Sequence, residues 1–376
     1  MTERIKSRRL TKRMFAVAGT VAIVVLALSA AWAMSGVSRP TVTIVAIIPL
    51  SGLSSYLVEI GDAMSMITEK LNKWGGINGM RIRLVVVDCA SNPEVALEKF
   101  VEAEERYHPL AVITATREVA VEMSEIAEER GVVLISVGAS AEDLADGKEW
   151  VYRYYVTPSG EAERVLDTLA SLDVDSLGLL YMDDAYGTAA MARISGAFQA
   201  LNQTVESYSF PKDCADFSGL VANVTDNEAV FAVGLRVHYS PILEELNSSG
   251  YEGHMLCAIG ASIPPMWDRP EAQGCVVNAP MMYMSSATVD DVVMMEFEDR
   301  YGRPLTHQGA IGYDVIRLLW GLLSDSEVST ENLRSLLDRG FVYPGILGVV
   351  TLNPGTHNID VPIHSAVIDG GALRYL

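Results

Sequence analysis

IVAIIPLSGLSSYLVEIGDAMSMITEKLNKWGGING, residues 44–79, decides how the rest of the chain is read. Thr43 to Ile48 is a β-branched apolar run of the length of a fully buried strand. Pro49 to Ser55 is a short loop of small and hydroxyl residues. Leu57, Ile60, Met64, Ile67, Leu71 and Trp74 then recur at steps of three and four, which places one apolar stripe, Trp74 included, along a long helix. Gly75 and Gly76 stop that helix, and Gly79 turns the chain into a second apolar run, Ile82 to Val87. Parallel strands need such a crossover, and open parallel sheets take their ligands outside the carboxyl ends of the strands. Pro49 to Tyr56 is therefore the first candidate binding loop.

The same alternation continues downstream. Val95–Tyr107, Glu118–Arg130 and Glu161–Ser171 read as helices, with strands at Leu110–Thr114, Val132–Ser136 and Trp150–Val156. It restarts at Leu177–Tyr181 (strand), Gly187–Leu201 (helix) and Val205–Phe210 (strand). It then runs on through Phe217–Thr225, Ala229–Val233, Ser240–Ser248, Met255–Ile259 and Cys275–Ala279. Three helical stretches follow, Asp290–Tyr301, Gly309–Leu323 and Glu331–Arg339, then strands at Gly348–Leu352 and His364–Ile368. Repeated strand-then-helix order argues for α/β architecture with parallel sheets, in two units of similar size without a visible sequence repeat.

The amino terminus is of another kind. Arg4, Lys6, Arg8, Arg9, Lys12 and Arg13 precede an uncharged run from Met14 to Val37, the pattern of a signal peptide or of a membrane anchor. Ala31-Trp32-Ala33 fits a cleavage site, so residues 1–40 are set aside from the fold, with the membrane a partner if this segment is retained. The first 33 residues account for six basic residues and one acid, Glu3, of chain totals of 28 and 48, leaving 22 basic and 47 acidic residues. So acidic a surface disfavours nucleic acid and anionic membrane, and it suits an extracytoplasmic location, secreted, periplasmic or anchored to the outer face of the cell membrane.

Chemistry-bearing motifs are sparse. No GxSxG, HExxH or GxxxxGKS pattern occurs, and the six histidines are scattered. Cys89, Cys214, Cys257 and Cys275 form no metal-ligand spacing; Cys257 and Cys275 are either a disulfide or buried thiols. No cofactor is expected, and enzyme activity is not.

NKWGGING (Asn72 to Gly79) placed after PLSG (Pro49 to Gly52), and LLYMDDAYG (Leu179 to Gly187), carry a specific resemblance. The Tyr152-Arg153 pair, Asp216-Phe217-Ser218 and GVVTLNPG support it. From about Val42 onward the chain resembles type I periplasmic binding proteins of the branched-chain amino-acid-binding branch. The resemblance implies two doubly wound parallel-sheet α/β lobes joined by a three-strand hinge, residues 41–155 plus 283–342 forming the first lobe and 156–282 plus 343–376 the second. It implies a small-molecule ligand held between closing lobes, a membrane ABC permease as partner, and no catalysis.

Site residues follow from the same resemblance. The first loop contributes Ser51, Ser54, Ser55 and Tyr56. The segment at Ala115–Arg117 contributes Thr116 and Arg117. Gly138, Ala139 and Ser140 form a loop-to-helix junction where amides and a hydroxyl grip a carboxylate. In the second lobe Tyr186, Leu235, Arg236, Tyr239 and Ser262 face the ligand. The family's amino-acid binders hold the ammonium with an acid in the loop that is Gly260-Ala261-Ser262 here. That absence, with Arg117 and Arg236 near the rim, puts a zwitterionic ligand in doubt and suits an acidic or multiply polar one.

Overall fold

The strand order of the two sheets explains the repeated pattern in the sequence. A computed structural model describes residues 39–141, 143–283 and 289–376. The amino-terminal segment expected to be a leader or an anchor lies outside the described residues. Among the described residues no helix is long and apolar enough to cross a membrane.

The first sheet begins with β1 (Thr41–Ile48), β2 (Arg81–Asp88), β3 (Ala111–Ala115), β4 (Leu134–Val137) and β5 (Val151–Tyr154). Helices α1 (Val58–Lys73), α2 (Pro93–Tyr107) and α3 (Arg117–Arg130) connect its early strands. The second lobe contains α4 (Pro158–Ser171), β6 (Ser176–Met182), α5 (Ala185–Ala200), β7 (Thr204–Phe210), α6 (Ser218–Ala222) and β8 (Ala229–Val233). It continues through α7 (Arg236–Ser248), β9 (His254–Cys257), α8 (Pro264–Trp267) and β10 (Val276–Pro280). The chain then returns through α9 (Val289–Tyr301), α10 (His307–Leu323), α11 (Thr330–Asp338), β11 (Phe341–Gly345), β12 (Gly348–Leu352) and β13 (Asn358–Asp360), and ends in β14 (Ile363–Asp369) and β15 (Ala372–Tyr375).

The sheets run β11-β12-β13-β5-β4-β3-β1-β2 and β15-β14-β10-β9-β8-β6-β7. Their five-stranded cores, β2-β1-β3-β4-β5 and β7-β6-β8-β9-β10, are parallel and have the same order; β13 adds a short parallel strand beside β5 before β12 and β11 continue antiparallel, and β14 and β15 extend the second sheet antiparallel. The order reverses beside β1 in one sheet and beside β6 in the other, which is where such sheets open a crevice. These are the two α/β lobes the sequence pattern calls for.

Both faces of the first sheet are covered. Ile44, Ala46 and Ile48 point into the core under α1 and α10, whereas Val45 and Ile47 point into the core under α2 and α3. A strand buried on both faces reads as an unbroken apolar run, as Thr43–Ile48 does. In α1, Ile60, Met64, Ile67 and Leu71 are fully buried, each contributing about 1.5–3 kcal/mol by leaving water. Gly312 of α10 allows the two helices to touch, since a Cβ there would lie 2.5 Å from the Ile60 carbonyl oxygen.

Several expectations need correction. Trp74 is 71% exposed: it is the residue at which α1 ends and the chain leaves the apolar stripe. The helix ends for a steric reason as well, because Gly76 adopts φ +79° where a Cβ would collide with the Met80 carbonyl. The expected second-lobe segment beginning at 343 is wrong for its strands. β11, β12 and β13 hydrogen-bond into the first sheet, so the last passage between sheets falls at Val361–Pro362. α7 begins at Arg236 rather than Ser240, with Pro241 inside it, and α6 is shorter than Phe217–Thr225. All four cysteines carry free thiols; Cys257 and Cys275 are buried and in side-chain contact, the second of the two alternatives above.

The chain passes between the sheets after β5, after β10 and after β13. Arg153 joins the first and third passages. Completely buried, it donates from Nε to Asn358 Oδ1 (3.0 Å) and from a terminal nitrogen to the Tyr155 carbonyl (2.8 Å), and it lies 3.8 Å from Asp360.

Candidate functional site

The carboxyl ends of β1, β3, β4, β6 and β8 open onto a cavity of about 690 Å³. Residues after β1 (Leu53, Ser54, Tyr56, Leu57), after β3 (Thr116, Arg117, Glu118) and after β4 (Gly138, Ser140) form one wall. The opposite wall carries Asp184 and Tyr186 after β6, and Gly234 to Val237 and Tyr239 after β8. Tyr155 lies on the first passage between the sheets, and Ile259, Gly260 and Ile263 extend the second-lobe wall. Met182, Lys212, Asp213 and Gln308 complete the lining.

Local chemistry fixes these segments. The first loop is held by Asp88, whose Oδ1 accepts from the Leu50 and Ser51 amides (2.9 and 3.2 Å) and whose Oδ2 accepts from the Ser51 hydroxyl (2.6 Å). Those bonds keep the Asp88 carboxyl below its usual range against the opposing effect of burial. The Ser54 amide donates to Ser91 Oγ (3.0 Å). Thr116 has φ +70° and ψ 149°, a conformation reached mainly by glycine, so strain is concentrated where β3 turns into α3. Its side chain makes no cap to the helix. The first turn of α3 therefore begins at the cavity wall with its amides uncapped by Thr116, and α7 also begins there, its His238 amide donating to the Leu235 carbonyl (2.9 Å).

His238 sets the start of α7. It is buried; Nδ1 accepts from the Leu235 amide (3.1 Å), and Nε2 lies 3.0 Å from the Lys212 carbonyl. Desolvation lowers its pKa, and its role is to place Leu235, Arg236 and Val237 at the cavity. Asp184 caps α5 by accepting from the Gly187 amide (2.8 Å), and burial raises its carboxyl pKa.

Three tyrosine hydroxyls around the cavity are engaged by the protein. Tyr186 donates to Glu161 Oε2, Tyr239 donates to the Gly234 carbonyl (2.7 Å), and Tyr155 lies 3.2 Å from His307 Nε2. His307 is fully buried, and desolvation, with the charge of Arg236, lowers its pKa to about 3. Across the cavity Arg236 lies 6.0 Å from the centre of the Tyr56 ring. The lining carries Arg117, Lys212 and Arg236 as well as Glu118, Asp184 and Asp213, so its charges are mixed rather than one-sided.

Ten of the sequence-derived residues lie together on this cavity: Ser54, Tyr56, Thr116, Arg117, Gly138, Ser140, Tyr186, Leu235, Arg236 and Tyr239. Four do not line it. Ser51 is committed to Asp88, and Ser55 is exposed. Ala139 is buried in the core under α2 and α3. Ser262 is fully buried and donates to the Ile259 carbonyl (2.8 Å). After the loop beyond β4, residues 143–147 form turns rather than a helix, so among the described residues no loop-to-helix anion junction follows β4; the helix starts at the cavity belong instead to α3 and α7. Sequence reasoning missed Tyr155 and Glu161. Tyr155 had a signal, its place at the end of an aromatic strand, whereas Glu161 had none.

A profile described as periplasmic binding protein matches residues 41–372. The chain belongs to the periplasmic binding protein family. Two curated relatives of this periplasmic binding protein are similar at low identity. The chemotactic signal transduction system substrate-binding protein BasB of Halobacterium salinarum is 26% identical over 242 residues, 60% of this chain and 59% of that protein. The chain thus matches less than two thirds of that relative's length. Leu/Ile/Val-binding protein homolog 3 of Brucella melitensis is 24% identical over 285 residues, 73% of this chain and 77% of that protein.

Solved structures share the fold. The branched-chain amino acid transporter substrate-binding protein LivJ of Streptococcus pneumoniae, in complex with isoleucine, superposes with TM-score 0.79 at 16% identity over 89% of this chain and 99% of that one. A solute-binding protein of an ABC transporter from Rhodopseudomonas palustris, in complex with 3,4-dihydroxybenzoic acid, gives TM-score 0.80 at 16% identity over 89% and 96%. The periplasmic binding protein described here therefore has the type I fold, and proteins of that fold bind chemically different solutes.

Proposed function

We propose that this chain is the extracytoplasmic solute-binding component of an ABC-type importer, holding a small polar ligand (an amino acid, amide or organic acid) between two closing lobes. The observation that carries this reading is the cavity of about 690 Å³, lined from both sheets at the points where their strand order reverses. Its volume lies within the 300–1,000 Å³ usual for small-molecule sites, about the range in which most of a ligand's surface is buried. Ser54, Thr116, Gly138 and Ser140 offer hydroxyls and amides on one wall, with Arg117 beside them; Tyr186, Leu235, Arg236 and Tyr239 meet the ligand from the other. Ligand bound to both walls stabilises the closed population by its differential affinity. The family and the absence of a nucleophile–base pair in the sequence motifs support binding without turnover.

A second reading, a membrane-tethered receptor ectodomain, is favoured by one observation, the signalling role in the name of the Halobacterium relative. Mass spectrometry of the solute that co-purifies with the full-length protein, followed by calorimetry with that solute, tests the first part of both readings. A stoichiometric solute released on unfolding is expected. Retention or loss of residues 14–37 in the exported protein bears on tether against free carrier.

A further inference from the structure

Two arginines hold matching places in the two lobes. Arg117 is the first residue of α3, which follows β3, and Arg236 is the first residue of α7, which follows β8. β3 and β8 are each third in the strand order that the two parallel cores share. Both arginines line the cavity and both are partly buried. A cation is out of place at such a position, because a helix start already carries partial positive charge and favours acids. The first turn of α7 contains no acid, and that of α3 contains only Glu118, which is exposed. A local rule broken twice, on the two sides of one cavity, is what a bound anion explains.

Resting on the reading of the cavity as a solute site, we propose that its ligand is a carboxylic acid with an apolar body, aromatic or branched, and no amine, and that Arg117 and Arg236 select it. Lys212, Glu118 and Asp213 are exposed, where water and salt screen them. Asp184 is the one partly buried acid of the lining; it caps α5, and burial raises its carboxyl pKa. Glu161 and Glu59 do not line the cavity. Glu161 accepts from the Tyr186 hydroxyl, the Ile259 amide and the Asn278 side chain, and Glu59 accepts from the Thr306 hydroxyl. Burial raises both of their pKa values, so neither is a standing charge behind the wall. An ammonium group would meet one capping carboxylate whose charge burial disfavours, and two guanidinium groups that repel it. A carboxylate meets the reverse. Guanidinium forks match its geometry, and the uncapped first turn of α3 and the hydroxyls of Thr116 and Ser140 share the Arg117 wall.

The other surfaces suit an apolar body. Tyr186 donates to Glu161, Tyr239 donates to the Gly234 carbonyl, and the Tyr155 hydroxyl is paired with His307. These three therefore offer the ligand ring surface rather than donors. Leu57, Met182, Leu235, Ile259 and Ile263 line the same space. Burial of a ring or a branched chain there supplies the non-directional part of binding, and the arginines fix which end is polar.

The test compares full-length wild type, Arg117→Gln and Arg236→Gln by calorimetry, each stripped of co-purified solute. Two probe sets are used: 4-methylpentanoate with 4-methylpentanamide and L-leucine, and 3-phenylpropanoate with 3-phenylpropanamide and L-phenylalanine. In the set that fits the cavity, wild type is expected to bind the acid about tenfold or more tighter than either the amide or the amino acid. Each variant is expected to narrow the preference for acid over amide to about threefold or less, by weakening the acid and leaving the amide nearly unchanged. A merely structural role would weaken acid and amide alike; that result, or an unchanged preference, overturns the inference. A wild type that prefers the amino acid, or that binds acid and amide equally, overturns it while leaving the solute site in place. So does failure to bind any probe while another solute co-purifies and rebinds. Failure of every probe with no solute co-purifying sinks the reading of the cavity itself. Should one variant not fold, the other decides.

Discussion

Arg236, the first residue of α7 in the second lobe, lies over the ring of Tyr56 in the first, 6.0 Å from its centre. The contact crosses the cleft beside the cavity, so it counts only when the lobes are together. Cation–π contacts of this kind contribute about 0.5–1 kcal/mol at partly exposed sites. Arg236→Ala should weaken solute binding by about two- to fivefold, chiefly through faster dissociation. Stopped-flow release of the co-purified solute measures this; an unchanged off-rate would mean the contact does not stabilise the closed form.

Lining and non-lining serines give a cleaner contrast. Ser140 lines the cavity, whereas Ser262 is buried behind it with its hydroxyl on the Ile259 carbonyl. Ser140→Ala should lower affinity by about five- to tenfold with little change in stability, as loss of one ligand hydrogen bond does. Ser262→Ala should cost about 1 kcal/mol of stability and leave affinity nearly unchanged. Calorimetry and urea unfolding on both variants check the pair, and the reverse pattern would mean the cavity wall has been drawn wrongly.

Much of the fold was legible because its strands are buried on both faces. Ala229–Val233 reads as a strand and is one, and Arg130-Gly131 ends α3 where the glycine takes φ +66°. The edge strands were harder. β13 is three residues long and pairs with β5 at only two positions, so no apolar period announces it, and the last passage between lobes was misplaced as a result. Trp74 shows how a stripe misleads: the spacing continued one step past the last helical residue. At the site, hydroxyl loops after strands were readable from position alone. Glu161 was not, because an acid in the first turn of a helix is the commonest of patterns, and only the packing of α4 against α5 brings Tyr186 to it.

Arg153 should be the most destabilising single truncation near the passages between lobes. Removing it leaves the Asn358 side chain and the Tyr155 carbonyl without their buried donor, beside an Asp360 that is itself exposed. Arg153→Met should cost about 2–3 kcal/mol, as loss of buried hydrogen bonds from a charged group does. Urea denaturation gives the value; a loss below about 1 kcal/mol would show that water reaches this residue.

His307 sets an acid limit. Its folded-state pKa is about 3, against an unfolded value near 6.5, because burial and Arg236 disfavour the charged ring. The unfolded chain therefore binds the proton more readily. The contribution is intact above about pH 6.5 and is lost as pH falls toward 3, by about 1.4 kcal/mol per pH unit. Glu59 and Glu161, whose carboxyl pKa values are raised by burial, oppose this trend in the whole protein. The difference between wild type and His307→Gln isolates it: that difference in unfolding free energy should shrink as pH falls from 6.5 to 4. A difference independent of pH would mean the ring is solvated in the folded protein.

Closure of two lobes on a bound solute is the claim on which the rest depends. Small-angle X-ray scattering of the full-length protein, stripped of solute and then saturated with the solute it carries, tests it most directly. The account predicts a smaller radius of gyration on saturation, reversed on removal of the solute. An identical scattering profile with the cavity shown by calorimetry to be occupied would contradict it.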